Sequence, residues 1–418
     1  MKKRIFILLS FIICVALVMV FSSCDLSNEQ VDNIAQGYFS FNYVTENEGE
    51  GTNEIICTAE CALPLYEYTA TLLFVDKSGS VFYESEPKTV LCDIEAGTEF
   101  NISFTEDRLK CEKTNLYRLR IEGKSHEKPS SLKNNTYNVK FIIGESVVSN
   151  ENVKGITKIV VPTLENKEYL TFEGWYFEPE LLNKCNTEDY TVIRNVTLYG
   201  KYSFNAEKVS HKIANDTLKS TVTITSEFYE SPFSFSVDYA LNGSGVIFKV
   251  EDGYAYVLTN NHVVYYEKAY SESFYVTDSQ GYTYSAQIYN NAKSADYDLA
   301  ILRFKIESKE ISAIPFADSD AKKGEVVASI GSPSSQINTV TYGRVLDNLK
   351  ASGEIVLNFK VTYHTAIIGE GSSGGVLLNG DLEIVGINFA GYASETLGKG
   401  LSIPVSKVLE FITPYFEK

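Results

Sequence analysis

The chain has 418 residues and a mass of 46.6 kDa, which predicts two or three modules rather than one small fold. Its 44% hydrophobic and 22% charged residues supply packed cores and exclude both global disorder and a polytopic membrane protein. The formal net charge of −17 excludes nucleic acid as a primary partner, because an acidic surface repels polyanions.

The start of the chain has the layout of a bacterial export signal. Three basic residues at positions 2–4 precede an apolar run from Ile5 to Phe21, which ends at Ser22-Ser23-Cys24. Small residues directly before a cysteine resemble a lipobox, so we expect a lipoprotein signal peptide over residues 1–23 and an acylated Cys24. An ordinary secretory signal or an uncleaved anchor is the alternative. The prediction implies a lipid-anchored protein that faces outward from the cell membrane.

Residues 24–36 are polar and predict a short tether. Residues 37–125, which we call the first module, alternate apolar and polar positions. Ala70–Val75 and Tyr117–Ile121 are two such runs. This pattern, in a chain with 13% aromatic residues, predicts a β-sandwich-like fold but no function. A linker rich in Pro, Ser and Asn is expected at Lys124–Asn135.

Five cysteines follow Cys24 along the chain. Four lie in the first module, so an exported protein is expected to form one or two disulfides there, in any of three connectivities. Cys185 is then the unpaired thiol. A metal site is not expected, since no histidine lies near Cys57-x3-Cys61, and no cofactor is predicted. The four cysteines of the first module are Cys57, Cys61, Cys92 and Cys111.

Residues 136–204, the repeat module, carry a Phe172-Glu173-Gly174-Trp175-Tyr176 centre and a closing run from Val196 to Tyr202. The segment resembles the internalin-type B repeat, also called the Listeria–Bacteroides repeat, a small β-rich surface module. Tyr202 stands where the family has Trp. We expect Trp175, the single tryptophan of the chain, to fill the core rather than to contact a ligand. The resemblance implies a spacer or adhesive module.

Residues 215–418, the C-terminal region, contain three segments that carry candidate catalytic groups. A predicted hairpin over 243–259 delivers His262, and Asp298 directly precedes the apolar run Leu299–Leu302, where its carboxylate will be desolvated and needs a partner. The loop Gly369–Gly375 has four glycines in seven residues, and such a loop can aim two backbone N–H groups at one point.

These segments, in this order, resemble a trypsin-like serine protease domain of the HtrA-like branch. The resemblance implies a mostly β chain whose C-terminal region is a chymotrypsin-like double β-barrel with six strands in each barrel. A closing helix is predicted by the apolar spacing after Pro404 and is expected to stop at Pro414. The motifs that carry the resemblance are Thr259-Asn260-Asn261-His262-Val263-Val264, Asp298-Leu299-Ala300-Ile301-Leu302, Gly371-Ser372-Ser373-Gly374-Gly375, Gly331-Ser332-Pro333, Val340–Val345, Val385–Asn388 and Gly400–Pro404.

The family pattern assigns the catalytic roles. His262 is the base, Asp298 orients it and Ser373 is the nucleophile, while the N–H groups of Gly371 and Ser373 form the oxyanion hole. Rivals for the three side-chain roles are Asp296, Ser372 and His364. The resemblance therefore implies a serine endopeptidase that acts on proteins or peptides through an acyl-enzyme.

Residues five and six before the nucleophile, Ile368 and Ile367, are implied as the floor of the primary substrate pocket. An apolar floor favours small or aliphatic side chains on the acyl side of the cleaved bond and rejects cations. The sequence does not indicate an oligomeric state.

Three departures from the family pattern bear on whether the loop Gly369–Gly375 supports turnover. The sequence shows no PDZ domain after the protease region, Thr365 replaces a usually acidic residue, and Glu370 precedes Gly371. The loop is therefore expected either to order with substrate or to be inactive. The competing hypothesis is a non-catalytic surface lipoprotein with a protease-like fold that acts in binding or adhesion.

Overall fold

The computed structural model describes residues 32–34, 36–77, 80–125, 135–306, 310–333, 338–350, 357–392 and 399–416. The predicted signal peptide, Cys24 and most of the predicted tether and linker lie outside these residues. None of the helices in the described ranges has the length and apolar character of a bilayer-spanning segment.

The first module forms two antiparallel sheets that pack face to face. One sheet has the order β1-β8-β4-β5 with β6 also paired to β4, and the other has the order β2-β3-β7. Side chains from both sheets, such as Ile55 and Phe74, share one buried core, which agrees with the predicted sandwich. The elements are β1 (Asp32–Ile34), β2 (Phe39–Glu48), β3 (Thr52–Cys61), β4 (Leu65–Val75), β5 (Val81–Glu84), β6 (Lys88–Ile94), β7 (Glu99–Asp107), α1 (Arg108–Cys111) and β8 (Leu116–Ser125).

The disulfide prediction is wrong, because all five described cysteines are free thiols. Cys57 and Cys61 lie on the same strand, about 13 Å apart at the usual rise, whereas a disulfide needs Cα atoms within about 7 Å. Burial raises the pKa of both thiols to about 12, so they act as small apolar core residues. Cys185 is also buried and free, as an unpaired thiol.

The repeat module forms a four-stranded sheet in the order β10-β9-β14-β12, with a two-stranded sheet of β11 and β13 beside it. Trp175 is 2% exposed, and its ring lies 4.7 Å from that of Phe141 and 5.4 Å from that of Phe172. Its predicted core role is confirmed. The strands are β9 (Thr136–Ile143), β10 (Ser146–Lys154), β11 (Thr157–Lys158), β12 (Leu170–Tyr176), β13 (Thr191–Val192) and β14 (Val196–Phe204).

The C-terminal region forms two closed six-stranded barrels, as the resemblance implied. The first has the order β15-β16-β17-β20-β19-β18 and the second β21-β22-β23-β26-β25-β24. Helix α2 (Ala206–Asn215) precedes them. The first barrel contains β15 (Thr221–Tyr229), β16 (Tyr239–Glu251), β17 (Tyr254–Thr259), β18 (Ser271–Asp278), β19 (Thr283–Ser294) and β20 (Leu299–Lys305). The second contains β21 (Val326–Gly331), β22 (Thr339–Lys350), β23 (Lys360–His364), β24 (Val376–Leu378), β25 (Ile384–Tyr392) and β26 (Lys399–Pro404).

The closing helix α3 (Val405–Phe416) passes through Pro414 instead of ending there, which corrects the predicted boundary. Packing accounts for the last turn. The ring of Phe416 lies 5.5 Å from that of Phe248 and 5.1 Å from that of Tyr256, so α3 is fastened to the first barrel although it follows the second in sequence.

Contacts join the repeat module to both of its neighbours. Arg194 donates from Nε to the buried carboxylate of Glu60 in the first module, at 2.7 Å. On the other side, the guanidinium of Arg344 on β22 donates to the carbonyl oxygens of Gly324, at 2.9 Å, and Tyr202. The contact between Arg344 and Tyr202 places β14 of the repeat module directly against the second barrel.

Candidate active site

His262 and Asp298 meet because they lie at the ends of neighbouring strands. β17 ends at Thr259 and continues into a short 3₁₀ helix, Asn261–Val263, that carries His262. Asp298 directly precedes β20, and β17 pairs with β20 with Thr259 opposite Ala300. The ladder between the two strands therefore brings the imidazole and the carboxylate to the same edge of the first barrel.

The carboxylate of Asp298 holds the backbone and the ring of His262. Asp298 is 4% exposed; its Oδ1 accepts from the backbone N–H of His262 at 3.0 Å, and its Oδ2 lies 2.8 Å from Nδ1. Asn260 donates from Nδ2 to the backbone carbonyl of Asp298 at 2.9 Å. An ionised carboxylate only accepts, so Nδ1 carries a proton and Nε2 is left as an acceptor. This is the arrangement that a general base requires.

The loop Gly369–Gly375 presents Ser373 and two backbone donors. A turn closes from the N–H of Ser372 to the carbonyl of Gly369 at 2.9 Å, with Gly371 at φ +93°, as the third position of a type II turn requires. The N–H groups of Gly371 and Ser373 have no acceptor within the described part of the chain, so both are available as donors. The Ser373 hydroxyl is half-buried and donates to the carbonyl of Phe389 at 3.4 Å.

Ser244, which the sequence analysis did not single out, fastens this loop to the first barrel. Its N–H donates to the carbonyl of Ser373 at 2.7 Å, and its hydroxyl donates to the carbonyl of Gly371 at 2.7 Å. The same hydroxyl accepts from the N–H of Ser332 at 2.9 Å. The signal in the sequence was a serine between two glycines, Gly243 and Gly245. The structure shows why both are glycine: a Cβ atom added at either one would lie within 2.6 Å of a neighbouring atom.

We expect Ser244→Ala to destabilise the loop Gly369–Gly375. The change leaves the N–H of Ser332 and the carbonyl of Gly371 without their partner, which lowers the unfolding free energy by about 1–3 kcal/mol. The rate of labelling by a fluorophosphonate should fall by about 10-fold or more, because the Gly371 peptide is no longer held. Ser226→Ala is the matched control, since its buried hydroxyl has no partner in the described residues. Equal labelling by both variants would contradict the role of Ser244.

None of the three rival side chains forms a hydrogen bond with His262 or Asp298 in the described residues. Asp296 is exposed. The Ser372 hydroxyl points back into its own loop, where it accepts from the N–H of Gly369 at 3.2 Å. His364 is buried in the second barrel, with Nε2 2.9 Å from the hydroxyl of Ser402.

His364 belongs to a buried polar chain inside the second barrel. Ser402 donates to Oδ1 of Asn388 at 2.8 Å, and Asn388 donates from Nδ2 to Ser329 at 2.8 Å. Nδ1 of His364 has no partner in the described residues. Burial lowers the pKa of His364 to about 4, because the charged imidazolium would lose its solvation there.

This depressed pKa predicts an acid-sensitive barrel. The unfolded chain protonates His364 near pH 6.5, whereas the folded chain does so only near pH 4, so the unfolded state binds more protons in that window. His364 should therefore remove about 3 kcal/mol of stability as the pH falls from 7 to 4. Denaturant unfolding of His364→Gln, with the same change at exposed His211 as control, measures the difference. An unchanged pH dependence in His364→Gln would contradict the assignment.

The two residues implied for the substrate pocket differ in environment. Ile368 is half-buried and packs against Gly391 of β25, where an added Cβ would lie 2.9 Å from its Cγ1. Ile367 is 68% exposed, although its carbonyl accepts from Thr341 at 2.8 Å. Residues 393–398 lie outside the described residues, so the pocket stays a prediction. Thr365, a departure from the family, accepts from the N–H of Arg344 at 2.9 Å.

Comparisons with known families match two parts of the chain. Residues 243–387 match the trypsin-like peptidase domain, and residues 137–201 match the Listeria-Bacteroides repeat domain. The chain therefore contains both domains. The first match covers the His262 and Asp298 segments and the glycine-rich loop, and the second covers most of the repeat module.

Curated relatives are HtrA-like serine proteases. The chain is 36% identical over 215 residues to "Serine protease HTRA1" of Xenopus tropicalis, which covers 51% of this chain and 43% of that protein. It is 36% identical over 178 residues to "Serine protease Do-like HtrA" of Bacillus subtilis, covering 40% and 37%. It is 36% identical over 170 residues to "Periplasmic serine endoprotease DegP" of Salmonella typhimurium, covering 40% and 34%.

The chain thus spans less than half the length of these curated relatives. Among solved structures, it is similar to "HtrA-type protease AlgWS227A with tripeptide" at 26% identity and a TM-score of 0.41, over 50% of this chain and 63% of that one. The predicted resemblance to HtrA-like serine proteases is confirmed by the sequence relatives.

Proposed function

We propose that the chain is an extracytoplasmic serine endopeptidase that hydrolyses peptide bonds through an acyl-enzyme. The observation that carries this proposal is the buried Asp298 carboxylate 2.8 Å from Nδ1 of His262. Ser373 follows on a glycine-rich loop that Ser244 fastens to the same barrel. Serine protease relatives support the same reaction class.

In the proposed reaction, Ser373 Oγ attacks the substrate carbonyl while Nε2 of His262 takes its proton. Asp298 stabilises the imidazolium and keeps Nδ1 protonated. The imidazolium returns the proton to the leaving amine. Water then attacks the acyl group while His262 takes its proton, and the proton returns to Ser373 Oγ as the carboxylic acid product leaves. The Ser373 hydroxyl donates to the carbonyl of Phe389, so before attack it must leave that acceptor and turn toward His262.

The developing oxyanion requires donors that are already in place. The N–H groups of Gly371 and Ser373 are proposed for this role, since neither has an acceptor in the described residues. Removal of one such donor typically costs about 3 kcal/mol of barrier. The type II turn at Gly371 and the hydrogen bond from Ser244 to the Gly371 carbonyl support a loop that is ordered before substrate binds.

Ile368, with Ile367 beside it, is proposed to line the pocket for a small or aliphatic side chain on the acyl side. A cation there would lose its solvation without gaining a partner. Proteins and peptides are the proposed substrates.

Location and organisation are proposed from the sequence and the relatives. One relative is named as a periplasmic endoprotease, and an export signal followed by Cys24 supports a lipid anchor on the outer side of the cell membrane. The arrangement of sheets and barrels supports the proposed division into a first module (37–125), a repeat module (136–204) and a protease region (215–418).

A second candidate function is a surface lipoprotein that binds or adheres without turnover. One observation favours it, namely that the Ser373 hydroxyl donates to the Phe389 carbonyl. The two candidates predict different outcomes for a nucleophile probe.

A fluorophosphonate probe tests the proposal on the exported chain. We expect covalent labelling of the wild type, loss of labelling in Ser373→Ala and retention in Ser372→Ala, because only an activated hydroxyl reacts. The neighbouring Ser372 is the matched control, because the residue is 3% exposed and its hydroxyl is hydrogen-bonded within the loop. An unlabelled wild type, or a labelled Ser373→Ala variant, would favour the non-catalytic candidate.

A further inference from the structure

A groove with a volume of about 490 Å³ adjoins the catalytic loop on the side of the first barrel. We call it the Glu370 groove. It reaches Gly371, the proposed oxyanion donor, so a peptide bound at that donor has direct access to it. Its walls include Tyr239, Leu241, Asn242, Ser332, Glu370 and Gly371.

The position of the groove indicates which half of a substrate it receives, given the proposed function. Ile368, on the proposed acyl side, packs against β25 of the second barrel. The groove instead is bounded by β16 of the first barrel and by Glu370. A peptide extends in opposite directions from its scissile carbonyl. If the acyl half lies toward Ile368, the leaving-group half enters the Glu370 groove.

The lining residues of the groove carry a single charge. Glu370 is exposed, and no cation lies within ion-pair distance of its carboxylate in the described residues. The other lining residues are uncharged. An unpaired carboxylate at the rim of a groove attracts a ligand cation, and the net charge of −17 acts in the same direction.

The aromatic and aliphatic lining of the groove suits a long aliphatic stem. Tyr239 stacks on Tyr266 with ring centroids 4.4 Å apart, and the Tyr266 hydroxyl donates to Glu230 at 2.6 Å, so the ring is held in place. Leu241 lies beside it in the groove. Arg and Lys bury their methylene groups on such surfaces and keep the charged end at a polar rim, where an aromatic face adds cation–π attraction.

We propose that the Glu370 groove binds the leaving-group side of a peptide substrate and selects an Arg or Lys side chain there. Glu370 determines this specificity and takes no part in bond cleavage. The proposal adds a basic preference after the cleaved bond to the aliphatic preference before it.

Quenched fluorescent peptides that share one acyl side and carry Arg, Gln or Glu after the cleaved bond test the groove. We expect kcat/KM to be about fivefold higher for Arg than for Gln, the upper range for an exposed ion pair, and lowest for Glu. Glu370→Gln should remove this ranking, and Glu370→Lys should reverse it. Glu251→Gln, at an exposed carboxylate on the far end of β16, should keep it.

The outcomes separate the groove from the proposed function. Equal kcat/KM for the Arg and Gln peptides, in a chain that reacts with the fluorophosphonate, overturns the groove and leaves the endopeptidase intact. If the chain has no turnover, the affinities of dye-labelled Arg and Gln peptides, measured by fluorescence anisotropy, are compared in place of kcat/KM. An Arg preference that disappears in Glu370→Gln then supports the groove, and equal binding overturns it.

Discussion

Replacement of Asp298 by Asn is expected to lower kcat for peptide hydrolysis by about 10,000-fold while the barrel stays folded. The carboxylate accepts from the backbone N–H of His262 and faces Nδ1 of the ring at 2.8 Å. An amide can still accept the backbone bond through Oδ1. Its NH2 group, however, would face Nδ1 with a donor, which favours the tautomer that carries its proton on Nε2 and cannot take one from Ser373.

The measurement is steady-state hydrolysis together with the fluorophosphonate labelling rate and the denaturant midpoint of each variant. Asp296→Asn is the matched control, because it makes the same chemical change two residues away on an exposed side chain. It should retain activity. A loss of less than about 10-fold in Asp298→Asn, or an equal loss in both variants, would remove Asp298 from the site.

Gly374→Ala is expected to destabilise the junction of the two barrels and to disable Ser373 beside it. A Cβ atom at this position would lie 2.1 Å from the carbonyl oxygen of Ser244 and 2.2 Å from Oγ1 of Thr259. The residue also has φ +83°, which strains any side chain. Relief requires the loop to move away from the first barrel, so the unfolding free energy should fall by about 3 kcal/mol or more.

The same displacement should lower the rate of hydrolysis and labelling by at least about 100-fold, since a shift of about 1 Å misaligns the nucleophile. Gly253→Ala is the control for backbone strain alone, because Gly253 has φ +80° and open space around it. That variant should lose about 1–2 kcal/mol and keep its labelling rate. Full labelling of Gly374→Ala would show that the barrels tolerate separation at this point.

Local patterns in the sequence predicted a mostly β chain. The two six-stranded barrels were implied by the family resemblance that the ordered motifs around His262, Asp298 and the glycine-rich loop carry, and both are present. The carboxylate of Asp298, ahead of a buried strand, was predicted to need a partner, and the pairing of β17 with β20 in the structure brings the imidazole of His262 to it.

Two predictions made from residue spacing along the chain, the disulfides and the end of α3, were wrong. Four cysteines in an exported segment predicted disulfides, yet the rise along β3 separates Cys57 from Cys61 and burial makes them core residues. Pro414 predicted the end of α3, yet the contacts of Phe416 with the first barrel extend the helix. In both cases packing with distant residues overrode a local rule.

The sequence by itself determined the residue types, their order along the chain and the strand pattern, because these depend on neighbours a few positions apart. The tertiary structure alone decided that Ser244 holds Gly371, at a separation of 127 residues, and that the Glu370 groove opens between elements from both barrels. It also decided that His364, a rival for the role of base, is buried beside Ser402. Such contacts depend on how the closed barrels pack against each other. Local periodicity does not encode contacts between residues so far apart in sequence.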